Sequence, residues 1–323
     1  MTVAKKKKPL IMWQKPMTWV LYSLIPVVAA SIYFFGWQSL IMLALCNGAS
    51  FFIEYLFLRK QGQPVSSAIF VTGTLLALAL PPTLPYWMGV VGAVVGTTFG
   101  KMVFGGFGKN VFNPALVGRA FIYVCFPAHM TAFWFPPLTQ GSAGLTAYKP
   151  AVDTITAATP LTIQVKDGLT IAWKKLFMGC TAGSYGETCA LLIILGGIFI
   201  VWKKAANWRF VVGGLLGFLL FQTIFWQMGI ERAIPPHYAL FSGSFIFGLF
   251  YFITEPISGP MNDEAKWIYS FFIGAMTVVI RVFSAWPEGV MFAVLLGNMY
   301  GPIVDFGVKE YKTAQKKKAK AAA

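Results

Sequence analysis

The chain has 323 residues, of which 57% are hydrophobic, 16% aromatic and only 11% charged, where a soluble chain carries about 25% charged residues. So little charge cannot cover a water-soluble globule; a soluble protein is excluded and most of the chain faces lipid. The net charge of +15 does not indicate a nucleic-acid partner, because the basic residues sit at the two ends and in short turns between apolar runs, which is how membrane orientation is encoded.

The chain opens on a basic segment, 1–16, with Lys5, Lys6, Lys7, Lys8 and Lys15. The apolar run that follows is too long for a secretory signal and has no clear small-residue cleavage site, so it is expected to stay as a helix. A bilayer core needs roughly 20 apolar residues per helix. Ten runs are candidates: 17–36, 38–58, 66–81, 85–103, 112–127, 187–202, 208–229, 238–253, 267–283 and 286–304. The runs at 66–81 and 112–127 are short and lie beside Pro81-Pro82, Asn113-Pro114 and Pro136-Pro137, as broken helices do. The expected fold is an all-α multi-pass membrane protein. It divides into a first membrane half (17–127), a long loop (128–186), a second half (187–305) and a basic tail (306–323).

Phe70-x2-Gly73-x7-Pro81 is echoed by Phe245-x2-Gly248-x7-Pro256, and Trp87-x13-Lys101 by Trp267-x13-Arg281. Such matches fit two five-helix repeats of opposite sense, an arrangement found in transporters. With both termini cytoplasmic, 19 of the 26 basic residues fall on the inner side, as the positive-inside rule requires. Lys149, Lys166, Lys174, Lys175, Arg232 and Arg281 fall outside, and Arg119 lies within a span. The long loop is then on the outer face.

Several motifs have ordinary explanations. Gly105-Gly106-Phe107-Gly108-Lys109-Asn110 lacks the first glycine and the Ser/Thr of a phosphate loop, and reads as a tight turn that needs glycine. Asn113-Pro114-Ala115 resembles an aquaporin pore triplet, but the second half has no copy; a helix start, with Asn113 as N-cap, accounts for it. Cys180 and Cys189 fit no metal spacing and leave a disulfide open. His129 and His237 read as loop histidines, and no metal site is expected. Charges within or bordering spans are costly unless paired. For Glu54 and Lys101, structural pairing is the expected role, with Arg59 beside Glu54; Glu187, Glu288, Arg119 and Arg281 are candidates for a polar ion path.

The long loop holds Asp153-Thr154-Ile155-Thr156-Ala157-Ala158-Thr159-Pro160-Leu161. A threonine hydroxyl without a neighbouring base does no chemistry alone. The segment resembles the flavinylation motif of the NqrB/RnfD family of membrane proteins, with Ala157 where glycine is common. Gly183-Ser184-Tyr185-Gly186-Glu187-Thr188, the 104–115 stretch and Pro287-Glu288-Gly289-Val290 are similar to other segments of that family. The resemblance implies FMN bound through a phosphodiester to Thr159, with Asp153, Thr156 and Ala158 as motif positions, installed by a separate flavin transferase. It also implies a non-covalent riboflavin and partner subunits of an Rnf complex in the cytoplasmic membrane, passing electrons between ferredoxin and NAD and moving Na+ or H+. The chain would not act alone. Only 16 residues precede the first span, which favours the RnfD type over NqrB with its longer extension. An NqrB-like quinone-linked protein is the alternative, and a channel or carrier for a small polar solute is the alternative from another class.

Overall fold

Apolar runs punctuated by proline and glycine become helices because a backbone in lipid must satisfy its own hydrogen bonds. The computed structural model describes residues 9–134, 136–138, 143–148, 161, 163–164, 172–179, 181–284, 286 and 288–322. Among these, the first half contains α1 (Lys15–Phe35), α2 (Gln38–Arg59), α3 (Ala68–Leu78), α4 (Tyr86–Thr97), α5 (Pro114–Cys125) and α6 (Pro127–Thr131). A π-helical turn, Thr98–Met102, extends α4. The remainder comprises α7 (Trp173–Met178), α8 (Ala190–Trp202), α9 (Trp208–Gln227), α10 (Pro236–Phe241), α11 (Phe245–Tyr251), α12 (Asp263–Phe283) and α13 (Val290–Ala322).

The protein is a helical membrane protein. Among the described residues, five helices (α1, α2, α9, α12 and α13) are long and apolar enough to cross a membrane. The other expected spans are shorter or broken. The 66–81 run is helical only over Ala68–Leu78, since the chain leaves the helix before Pro81-Pro82, where a proline disfavours helix in the residue before it. The 238–253 run splits into α10 and α11 around Ser242-Gly243, with Gly243 at φ +78°, a conformation that suits glycine. In the opposite direction, the tail expected as a separate segment continues α13 to Ala322, its Lys- and Ala-rich sequence being a good helix former. The all-α expectation needs one small amendment: Ile11–Met12 pairs in parallel with Val65–Ser66. His129 and His237 lie within the short helices α6 and α10 rather than in loops.

Charge contacts and hydrogen bonds sort the molecule into two ends. At one, Lys203 lies over the Trp19 ring (4.9 Å), Arg209 meets Asp263 (3.3 Å), and Lys312 of α13 pairs with Glu264 at the start of α12. At the other, Trp37 N–H donates to Ala147 O (3.1 Å), the Tyr86 and Tyr148 hydroxyls meet (2.7 Å), and Arg232 donates to Ser284 O (2.8 Å). Between them, α9 packs along α12. A Cβ on Gly274 would strike Gly214 O, so this contact depends on a missing side chain, the small-residue packing typical of membrane helices.

Candidate functional site

Helix α3 stops inside the protein, so its last carbonyls need donors. Tyr185 N–H donates to Leu80 O (3.1 Å) and Gly186 N–H to Leu78 O (2.7 Å), and Arg119 Nε of α5 donates to Ala79 O (2.8 Å). A cation thus sits at the negative end of a helix, where the macrodipole favours it. Two carboxylates complete the arrangement. Glu288, just ahead of α13, pairs with Arg119 Nη2; Glu187, just ahead of α8, lies 3.7 Å from the same nitrogen. Both precede helix N-termini, where negative charge is favoured. All three side chains are buried, none more than 9% exposed.

The two carboxylates are held unequally. Glu288 is hydrogen-bonded to Arg119, whereas Glu187 Oε1 has no hydrogen-bond partner. A buried acceptor without a hydrogen bond is costly, and here the Arg119 guanidinium at 3.7 Å is the charge beside it. The fourth expected path residue stands apart from the Arg119 pairs. Arg281, at the end of α12, donates through Nη1 to Ala239 O (2.9 Å) and lies over the Phe218 ring at 5.4 Å. Its Nε and Nη2 have no hydrogen-bond partner.

Glu54 and Lys101 are paired, as expected of structural charges, but with each other (2.6 Å) rather than with Arg59. Ser66 N–H also donates to Glu54 Oε1 (3.1 Å). Asn113 caps α5, accepting from Ala115 N–H (3.0 Å) and Leu116 N–H (3.3 Å), and Gly105, Gly106 and Gly108 all have positive φ in the turn before it. Sequence reasoning missed Asn298. This α13 side chain accepts from Asn113 N–H (3.1 Å) and donates to Tyr269 Oη (2.7 Å) and Ser258 O (3.3 Å), tying the two halves together. Nothing local distinguishes Asn298 from any polar residue in an apolar helix. Glu255 accepts from Ser258 (2.6 Å) and Asn110 (3.4 Å) beside a cavity lined by Thr72, Asn113 and Tyr251.

Asp153, Thr156, Ala158 and Thr159 lie outside the described residues, as does Cys180. Close to the motif, Leu161 is buried, and the Oε1 of Gln164 accepts from Ser242 (3.3 Å).

Residues 8–313 match the profile of the NQR2, RnfD, RnfE family. The chain belongs to this family. Among curated relatives, it is 39% identical over 264 residues to the B-type subunit of the Na(+)-translocating NADH-quinone reductase of Pseudoalteromonas atlantica, spanning 80% of this chain but only 64% of that protein. It is 34% identical to the corresponding protein of Klebsiella pneumoniae, over 87% of this chain and 71% of the relative. It is 32% identical to the D-type subunit of the ion-translocating oxidoreductase complex of Actinobacillus succinogenes, over 90% of both chains. The family therefore includes subunits named for two kinds of ion-translocating oxidoreductase.

Proposed function

We propose that the chain is the D-type membrane component of an Rnf-type complex, in which FMN esterified to Thr159 relays electrons between ferredoxin and NAD while Na+ or H+ is moved. The observation that carries the ion-moving part is the burial of Arg119, Glu187 and Glu288 where α3 ends and α8 and α13 begin. Interrupted helices whose ends face charges are how transporters build ion sites at mid-membrane. The flavin part rests on the Asp153–Thr159 motif together with the family match. Correspondence over 90% of both chains with a D-type relative supports the Rnf assignment.

In this reading ten segments, some interrupted, form two inverted repeats, with both termini cytoplasmic and the flavin loop outside. The gathering of Lys203, Arg209, Lys266 and Lys312 at one end fits that orientation. A flavin phosphate fits the region after the motif, because Leu161 is buried against the protein body and Arg281 offers unmatched donors beside it. When bound, the flavin supplies the electron-accepting ring, and the protein sets its position and electrostatic surroundings. A flavin transferase is needed to load it, and other subunits supply and remove the electrons. The riboflavin implied by family resemblance is assigned no residues.

An NqrB-like, quinone-linked role is the second reading, favoured by the 39% identity to a B-type relative. Quinone reduction sensitive to quinone-site inhibitors in the purified complex would select it; NAD reduction by ferredoxin selects the first. The loading test is ultraviolet fluorescence of the denatured chain in a gel after co-expression with a flavin transferase. A fluorescent band that disappears in Thr159→Val and survives Thr154→Val supports the flavin site. Solute flux through a flavin-free chain would instead support a channel or carrier.

A further inference from the structure

We infer that the turn between α8 and α9, together with the start of α12, forms a binding groove for the headgroup of an anionic phospholipid. Helix α9 begins at Trp208 and is long and apolar enough to cross a membrane, so residues 203–207 before it stand at headgroup depth. Trp202 and Trp208 flank that turn and are both exposed, as tryptophans at a membrane–water interface are. Beside the turn lies a groove of about 430 Å³, within the roughly 300–1,000 Å³ of ordinary ligand sites. It is lined by the buried, apolar Ala206 and Phe210 and by the cations Lys204 and Lys266. Val201, at the end of the apolar helix α8, lines it as well, where an acyl chain would start.

Positive charge is in surplus at this end. Arg209 (3.3 Å) and Lys266 (2.9 Å) share one carboxylate, Asp263. Glu264 is paired with Lys312, and Asp305 accepts from the amide (2.8 Å) and the side chain (2.9 Å) of Asn262. Among the described residues, neither Lys203 nor Lys204 has a carboxylate within ion-pair distance. Lys203 is braced instead by rings, its ammonium 4.2 Å from the centroid of Trp202 and 4.9 Å from that of Trp19. Such contacts hold a cation in place without neutralising it. Lys204 is exposed and is the one non-glycine residue with positive φ (+56°) among the described residues. Surplus cations over an apolar floor match a phosphodiester joined to hydrocarbon, the chemistry of an anionic phospholipid.

A second basic turn provides the comparison. Arg59 and Lys60, at the end of α2, are also exposed. They lie at the same end, because Val65–Ser66, just after them, pairs with Ile11–Met12 ahead of α1, and Trp19 of α1 meets Lys203. Their neighbours are Leu58 and Gln61 rather than tryptophans. An anion drawn by charge alone would visit both turns equally. One that also uses an apolar floor and an aromatic rim favours 203–207.

The test uses the full chain in its assembled complex, in nanodiscs of phosphatidylcholine with a small fraction of phosphatidylglycerol that carries a diazirine beside its glycerol. Peptide mapping after illumination reads which residues are labelled. The expected result is labelling at 201–210 and 254–266 in excess of that at 58–61, displaced by unlabelled phosphatidylglycerol but not by added phosphatidylcholine. Lys204→Gly keeps the backbone, since glycine suits positive φ. It should raise the phosphatidylglycerol needed for half-displacement about fivefold, one lysine's share of the attraction to anionic lipid, and Lys204→Arg should restore the wild-type value. Equal labelling at 58–61, displacement by phosphatidylcholine, or an unchanged half-displacement in Lys204→Gly overturns the inference. Displacement by glycerol phosphate in solution would show a free-phosphate site, and displacement by poly-glutamate a docking face for an acidic protein; either overturns the lipid assignment.

Discussion

Arg119 of α5 and Glu288 at the entry to α13, 169 positions apart, form a buried ion pair that joins distant parts of the chain. The same guanidinium also donates to Ala79 O at the end of α3. Removing it strands both a carboxylate and a helix end. Arg119→Gln is expected to destabilise the protein by about 3–5 kcal/mol, the usual cost of leaving one partner of a buried pair alone. Arg119→Met combined with Glu288→Leu should cost clearly less than the sum of the single changes. Thermal unfolding of the wild type, the two single variants and the double variant in one detergent measures both statements; additive losses would contradict the pairing.

Glu187 should behave differently. It lies 3.7 Å from Arg119 and its Oε1 makes no hydrogen bond, so Glu187→Gln removes little that holds the fold together. It does remove a charge from the proposed ion path. The expected outcome in proteoliposomes of the whole complex is near-normal electron transfer with a reduced number of ions moved per electron. Unchanged coupling would take Glu187 off the path.

Lys101 and Glu54 provide an internal control, being buried and paired at 2.6 Å with each other and not with the Arg119 group. Lys101→Met leaves Glu54 with only the Ser66 amide and is expected to cost about 3–5 kcal/mol. Adding Glu54→Leu should recover most of that loss. Denaturant midpoints in detergent would show whether it does.

Gly274 tests the packing. Because a Cβ there would meet Gly214 O, Gly274→Leu should push α9 from α12 and destabilise by about 1–3 kcal/mol. An unaltered unfolding midpoint would mean that the close approach is not needed.

The features legible in the sequence are those with local causes. Asn113-Pro114 announces the start of α5, the Gly105–Gly108 turn its positive φ values, and the Pro81-Pro82 pair the early end of α3. The cost of burying charge also singles out Arg119, Glu187 and Glu288. Their meeting is not legible, because pairings across as many as 169 positions are decided by tertiary packing rather than by any spacing. The same reason hides Lys101 as the partner of Glu54, 47 residues away, behind the nearer Arg59. Asn298 is invisible for a related reason: its value lies in the Asn113 amide and the Tyr269 hydroxyl it meets. The break at Ser242-Gly243 escapes notice because one glycine inside an apolar run does not by itself end a helix.

The most direct test of the account is peptide mass mapping across residue 159 in protein from cells that contain a flavin transferase. The account predicts a peptide heavier by one FMN less a water, with the added mass on Thr159 itself. An unmodified threonine at that position, in cells that load flavin onto other substrates of the same transferase, would contradict it.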